Sequence, residues 1–242
     1  MTGEGYIILF AFSIAASFLQ RVSGFGFGIL VMTVLPYIMP SYGEATALSG
    51  LLAMVTSGIV VAKMWRQIPW NKLIPILVTL VVVSWFAIVF VAHHPSGLLQ
   101  KILGVMLIIA SVWFFFFNDR VKLRPTIGVQ VSMGVISGIM GGLFSMQGPP
   151  AVIYFLSTSE TKEEYAALSQ AYFLLGNIVM AAFRWHNGFV TAAVGQAWLA
   201  AIVAVLIGGW IGGKVFSRLS AEAVRKVAYA YMAVSGIVAL FR

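Results

Sequence analysis

Residues 73–92 run for 20 positions without one charged side chain, and only Thr79 and Ser84 among them are polar. About 20 apolar residues is the length of α-helix that crosses the roughly 30 Å of hydrocarbon in a bilayer. Lipid offers no water to free N–H and C=O groups, so such a segment must close its own backbone hydrogen bonds as a helix. Seven further apolar stretches follow the same rule: 5–39, 45–62, 98–117, 126–156, 166–183, 190–211 and 224–240. Charged residues are 9% of the 242 positions, against roughly 25% in a soluble domain. A surface so poor in charge is solvated by lipid. The expected fold class is therefore all-α, a polytopic transmembrane helix bundle.

Six of the eight stretches suit one crossing, but 5–39 and 126–156 each exceed 30 residues. As straight rods they would reach roughly 45–50 Å, too long for the bilayer. Each carries helix-breaking residues at its middle. In the first they are Gln20-Arg21-Val22-Ser23-Gly24-Phe25-Gly26-Phe27-Gly28, and in the second Gly141-Gly142-Leu143-Phe144-Ser145-Met146-Gln147-Gly148-Pro149-Pro150. Glycine weakens a helix and proline removes one of its hydrogen bonds. Each long stretch is thus expected to be a re-entrant hairpin of two half-helices, about 15 residues and about 22 Å apiece, that enters the bilayer without crossing it.

The two breaks sit in an internal repeat. A shift of 120 positions places Gly28 on Gly148, Ser17 on Ser137, and Ala47-Leu48-Ser49 on Ala167-Leu168-Ser169. The order long-broken, short, short, short recurs, giving a first transmembrane repeat at 1–120 and a second at 121–242. Charge supports the hairpins. With hairpins and an outside N-terminus, the cytoplasmic side holds Lys63, Arg66, Lys72, Arg120, Lys122, Arg124, Lys162, Lys214, Arg218, Arg225 and Lys226, which is 11 of 15 basic residues. Arg21, Lys101, Arg184 and Arg242 are left for the hairpin and the outer side. Eight simple crossings with the N-terminus inside collect only 8 there. Cytoplasmic loops are enriched in Lys and Arg, so hairpins are favoured. A hairpin plus three crossings is an odd number, so the second repeat is expected to be inverted relative to the first.

Irregular backbone at membrane depth is tolerated only within protein or along a wet cavity. The breaks are therefore the candidate substrate-binding residues: Gln20, Arg21, Ser23, Gly24, Gly26 and Gly28 from the first, Gly141, Gly142, Ser145, Gln147 and Gly148 from the second. The glycines would bare backbone N–H groups. Helices starting near Gly28 and Pro149 would point partly positive ends at the midplane, where they attract anions. Arg21 is the charged residue of the breaks, and its guanidinium could grip a sulfonate, sulfite or carboxylate. It could equally snorkel to the surface or brace the hairpin. Ser49, Ser169 and Asn177 either complete the cavity wall or join helices by hydrogen bonds. Gly208-Gly209 and Gly212-Gly213 are expected to serve close helix packing.

The remaining features narrow the function classes. The net charge of +8 fits cytoplasmic loops rather than nucleic acid, and the absence of cysteine excludes disulfides and thiolate metal sites. Met1 to Tyr6 lacks the basic start of a cleavable signal peptide. No Asp or Glu lies deep in a crossing, Glu44 falling at a segment edge, and His93, His94 and His186 sit at segment ends. No metal site, cofactor or catalytic set is expected, and the chain does not read as an enzyme.

At Ser-Gly-Phe-Gly-Phe-Gly (23–28), at Gly-Gly-Leu-Phe-Ser-Met-Gln-Gly-Pro-Pro (141–150), and in its duplicated segment order, the chain resembles the TauE/SafE family of membrane permeases, often called sulfite exporters. The resemblance implies a multi-pass protein of the bacterial inner membrane that moves sulfur-containing or other small organic anions. Together with the breaks it leads to the expectation of a secondary permease for sulfite, a sulfonate or a carboxylate-like anion, working by alternating access. An anion channel and a non-transporting membrane assembly factor are the alternatives. The expected partners are the anion and the lipid bilayer, with homo-oligomer formation left open.

Overall fold

The computed structural model describes residues 2–117, 123–215 and 221–241. Arg120, Lys122, Arg218 and Arg242, counted above by charge, lie outside them, as do the side chains of 114–117, 215, 221–225, 227 and 228. The described residues form helices and no strand, as expected: α1 Gly3–Ser23, α2 Phe27–Val31, α3 Leu35–Ile38, α4 Tyr42–Met64, α5 Trp70–His93, α6 Ser96–Phe117, α7 Ile127–Phe144, α8 Gly148–Thr158, α9 Lys162–His186, α10 Ala192–Val215 and α11 Ala221–Phe241. Seven are long and apolar enough to cross a membrane: α1, α4, α5, α6, α7, α9 and α10.

Side-chain bonds sort the helix ends into two layers. In one, Tyr42 N–H of α4 donates to Ser96 Oγ of α6, Gln100 Nε2 to Pro36 O of α3, and Thr191 Oγ1, just before α10, to Glu44 Oε1. In the other, Lys72 Nζ of α5 reaches Thr158 O of α8 and Glu164 Oε1 of α9. Lys63, Arg66, Lys72 and Lys162 gather in this second layer. By the positive-inside rule it is cytoplasmic.

Both long segments are hairpins that return to the layer they leave. Along α1, Ile14 faces Gly208 of α10 and Arg21 faces Gly212, so α1 runs parallel to α10 from the outer layer inward. The chain then comes back through α2 and α3 to the start of α4. Along α7, Gly134 packs on Ile76 and Thr79, Gly138 on Leu80 and Val83, and Gly142 on Ser84 and Ala87. So α7 runs parallel to α5, from the cytoplasmic layer outward, and α8 returns to Thr158 beside Lys72. Small residues four apart let these backbones touch, the usual means of helix association in lipid.

The arms differ from the expected pairs of 15-residue halves. α1 has 21 residues and α7 has 18, or about 31 and 27 Å of helix, nearly a full crossing. The returning arms are short. α8 has 11 residues, while the first return is split into α2 of 5 and α3 of 4. Pro36 at the start of α3 has no N–H to give Met32 O, so α2 cannot continue through it.

Two helices begin on the same device 120 positions apart. Ser41 caps α4 by accepting from Glu44 N–H (3.2 Å), and Thr161 caps α9 by accepting from Glu164 N–H (3.1 Å). Both carry the Ser/Thr-x-x-Glu pattern of a capping box, with the Glu carboxylates accepting from Ser41 Oγ and from Glu160 N–H rather than from the cap residue's own N–H. Each Glu also reaches across the bundle, Glu44 to Thr191 at the start of α10 and Glu164 to Lys72 at the start of α5. Glu44 does stand at the edge of its segment, but it is buried there.

Candidate anion site at the two helix breaks

The first break is built by left-handed glycines. α1 ends at Gly24 (φ 85°), whose N–H donates to Gln20 O at 2.8 Å, and Gly26 (φ 100°) precedes α2. Residues with a Cβ adopt such angles at a cost. Ser23 Oγ bonds to Leu19 O and Phe25 O, so the hydroxyl expected to meet a ligand instead fixes the turn. The second break pivots on Ser145, a non-glycine residue at φ 58°. Its N–H donates to Gly141 O, and Met146 N–H to Met140 O, closing the end of α7.

The two breaks meet. Gly28 lies so close to the Ser145 carbonyl that no Cβ would fit, and a Cβ on Gly148 would stand 3.6 Å from Phe25 Cβ. Between them is a cavity of about 30 Å³, room for one or two waters. Of the expected residues, Gln20, Gly26, Gly28, Ser145, Gln147, Gly148 and Asn177 line it, with Phe25, Phe27 and Phe173 as apolar walls. Gln147 donates through Nε2 to Phe173 O (3.2 Å) and keeps Oε1 unpartnered. Ser145 Oγ is buried without a partner, and so are Ser49 Oγ and Ser169 Oγ, neither of which lines the cavity.

Other expected residues have different places. Gly142 packs against α5. Gly141 offers its carbonyl to Ser145 N–H and to Arg184. Arg21 is exposed and lies in a second, larger cavity of about 640 Å³ on the cytoplasmic side, which it lines with Gly24, Lys63, Tyr165, Trp210 and Lys214. Gly209 and Gly213 border this vestibule too, so the α10 glycines do more than pack.

Gln20 lines both cavities and stands between them. Its Oε1 accepts from Thr56 Oγ1 (2.8 Å) and its Nε2 donates to Ser57 Oγ and Gln170 Oε1 (both 3.3 Å). Gln170 in turn donates to Gly24 O at 2.9 Å. These bonds form a polar clasp at the side chain the two cavities share.

Sequence reasoning missed one residue. The apolar stretch 166–183 stops one residue short of Arg184, so the sequence leaves it for the hairpin or the outer side. The helix α9 runs on to His186, and Arg184 is 1% exposed. Its Nη2 donates to Gly141 O at 2.8 Å, while Nε and Nη1 have no partner. The signal lay in spacing: Gln170, Asn177 and Arg184 recur every seven residues and are all buried. Two helical turns separate each pair, so they form one polar stripe with rungs about 10 Å apart.

Seven membrane-length helices, two broken segments whose apices touch, and a basic vestibule leading to them define a multi-pass membrane transporter. The family model for the sulfite exporter TauE/SafE matches residues 9–239, and the chain belongs to that family, whose members are transporters and not enzymes. Over 219 residues, 89% of this chain and 86% of the relative, it is 23% identical to a protein of Cupriavidus necator described as a probable sulfite/organosulfonate exporter TauE. No solved structure matches the chain. The protein is therefore a multi-pass protein of the bacterial inner membrane.

Proposed function

We propose that this protein exports a sulfur oxyanion, sulfite or a small organosulfonate, by alternating access. One observation carries the reading: two interrupted helices arriving from opposite layers meet at Gly28 and Ser145 around a small cavity with polar lining. Broken helices that meet near the midplane are a recurring transporter design. The description of the Cupriavidus relative supplies the substrate class and the direction.

Two halves, 1–120 and 121–242, related by an axis in the membrane plane, would rock about this point. Capping boxes 120 residues apart support the duplication, as does the exchange of partners, α1 against α10 and α7 against α5. The cavity of about 30 Å³ is too small for a sulfonate. The tips must separate when substrate enters, so transport is coupled to movement rather than to an open pore. The expected result is saturable efflux of radiolabelled sulfite or methanesulfonate from proteoliposomes. Unitary currents in a planar bilayer would replace the permease with a channel, and vesicles with no added flux for any sulfur oxyanion would end the proposal.

A further inference from the structure

Arg184 is a buried cation with no carboxylate paired to it among the described residues. The ion pair among the described residues is Lys72–Glu164, at the cytoplasmic layer, so no carboxylate answers the guanidinium. Two of its three nitrogens are unpartnered. Burying a charge in this way is strongly unfavourable unless a counter-charge arrives.

The place where one would arrive is formed by a missing side chain. A Cβ built on Gly50 of α4 would lie 3.0 Å from Arg184 Nη1, 3.4 Å from Asn177 Oδ1 and 3.6 Å from Ser145 Oγ. Ser145 Oγ is itself buried and unpartnered. The Asn177 amide offers an N–H donor when turned over. Asn177 and Ser145 also line the cavity between the breaks, so the Gly50 position adjoins that cavity. In the outer layer Glu44 is already engaged, accepting from Ser41 Oγ and Thr191 Oγ1.

We propose that Arg184 Nη1, Ser145 Oγ and Asn177, converging on the Gly50 notch, form an oxyanion subsite for the sulfite or sulfonate head group. This deepens the transport reading and rests on it. The anion, drawn from the cavity, supplies the charge that Arg184 lacks, while the Arg184–Gly141 bond ties its arrival to the α7 break. A guanidinium and a hydroxyl together suit several oxygens on one centre.

The test is sulfite binding to purified protein, read as melting-temperature shift and titration, in Gly50→Ala and Arg184→Lys. Gly50→Ala removes no donor: its Cβ, 3.0 Å from Arg184 Nη1, crowds the proposed subsite, while the Nη2 bond to Gly141 stays available, so the unliganded melting temperature reports whether the fold is kept. The expected result is an unliganded melting temperature near the parent's, with sulfite affinity lower by about tenfold or more. Arg184→Lys keeps the charge but loses the fork, and is expected to bind more weakly than the parent. Parent-like affinity in both variants, with the parent still binding and moving sulfite, would overturn the subsite and leave the transport reading standing. Parent protein that neither binds nor moves any sulfur oxyanion would remove both.

Discussion

Ser145 separates stability from function at the level of one residue. Its φ of 58° is a left-handed angle that costs an L-residue roughly 1 kcal/mol or more, and its hydroxyl is buried without a partner. A strained residue with an unused polar group at a break is what a ligand contact looks like before the ligand arrives. Ser145→Gly is expected to hold or raise the melting temperature while weakening sulfite binding. A loss of stability with affinity intact would make Ser145 a structural pivot only. At this scale the sequence was partly legible. Glycine and proline reveal where a helix must stop, so the sequence marks Gly26, Gly28, Gln147 and Gly148, which the structure gathers around the small cavity. Nothing in a sequence says which way the side chain of Arg21 leaves its hairpin. It faces the vestibule, and the buried guanidinium is Arg184, 163 positions away.

The helices are held together chiefly by the fit of small residues. Gly134, Gly138 and Gly142 let α7 lie on α5, and a Cβ on Gly138 would stand 2.7 Å from Val83 Cβ. In lipid the contact replaces lipid with protein, so close fit rather than hydrophobic transfer provides the attraction. Gly138→Val is expected to cost about 1–3 kcal/mol, the usual range for overpacking, seen as a lower melting temperature in detergent. Gly128→Val, on the same helix but with open space where the Cβ would go, is the control and is expected to leave the melting temperature unchanged. Equal effects would mean that helix propensity, not contact, is being measured. The element order was readable because apolar length and punctuation are local properties. The arm lengths were not, since a break motif fixes where a helix ends but not how deep its partner reaches. Pro36 alone decides that the first return is two short pieces rather than one helix.

For the molecule as a whole, the asymmetry between its two cavities implies a direction of opening. The wide one, about 640 Å³, carries Arg21, Lys63 and Lys214 and lies toward the cytoplasm. The small one lies beyond the Gln20–Gln170–Thr56 clasp. Three cations around a concave mouth raise the local concentration of anions, an effect that falls as salt shortens the screening length to roughly 8 Å. Lys63→Gln combined with Lys214→Gln is therefore expected to raise the KM for sulfite while leaving kcat close to the parent's, and to flatten the dependence of flux on ionic strength. The clasp makes a sharper demand. Because the chain has no cysteine, a single one can be placed anywhere and read without background. Ala166→Cys, in the vestibule, is expected to react rapidly with a charged thiol reagent applied from the cytoplasmic side. Ala53→Cys, in the inner cavity, is expected to react slowly at rest and faster while substrate is being turned over. If Ala53→Cys reacts at rest as fast as Ala166→Cys, four hydrogen bonds at Gln20 and Gln170 do not form a barrier, and the protein is open to the cytoplasm as far as Ser145. Slow reaction that substrate leaves unchanged would mean that the clasp does not open in transport, and the path must run elsewhere between α4 and α9.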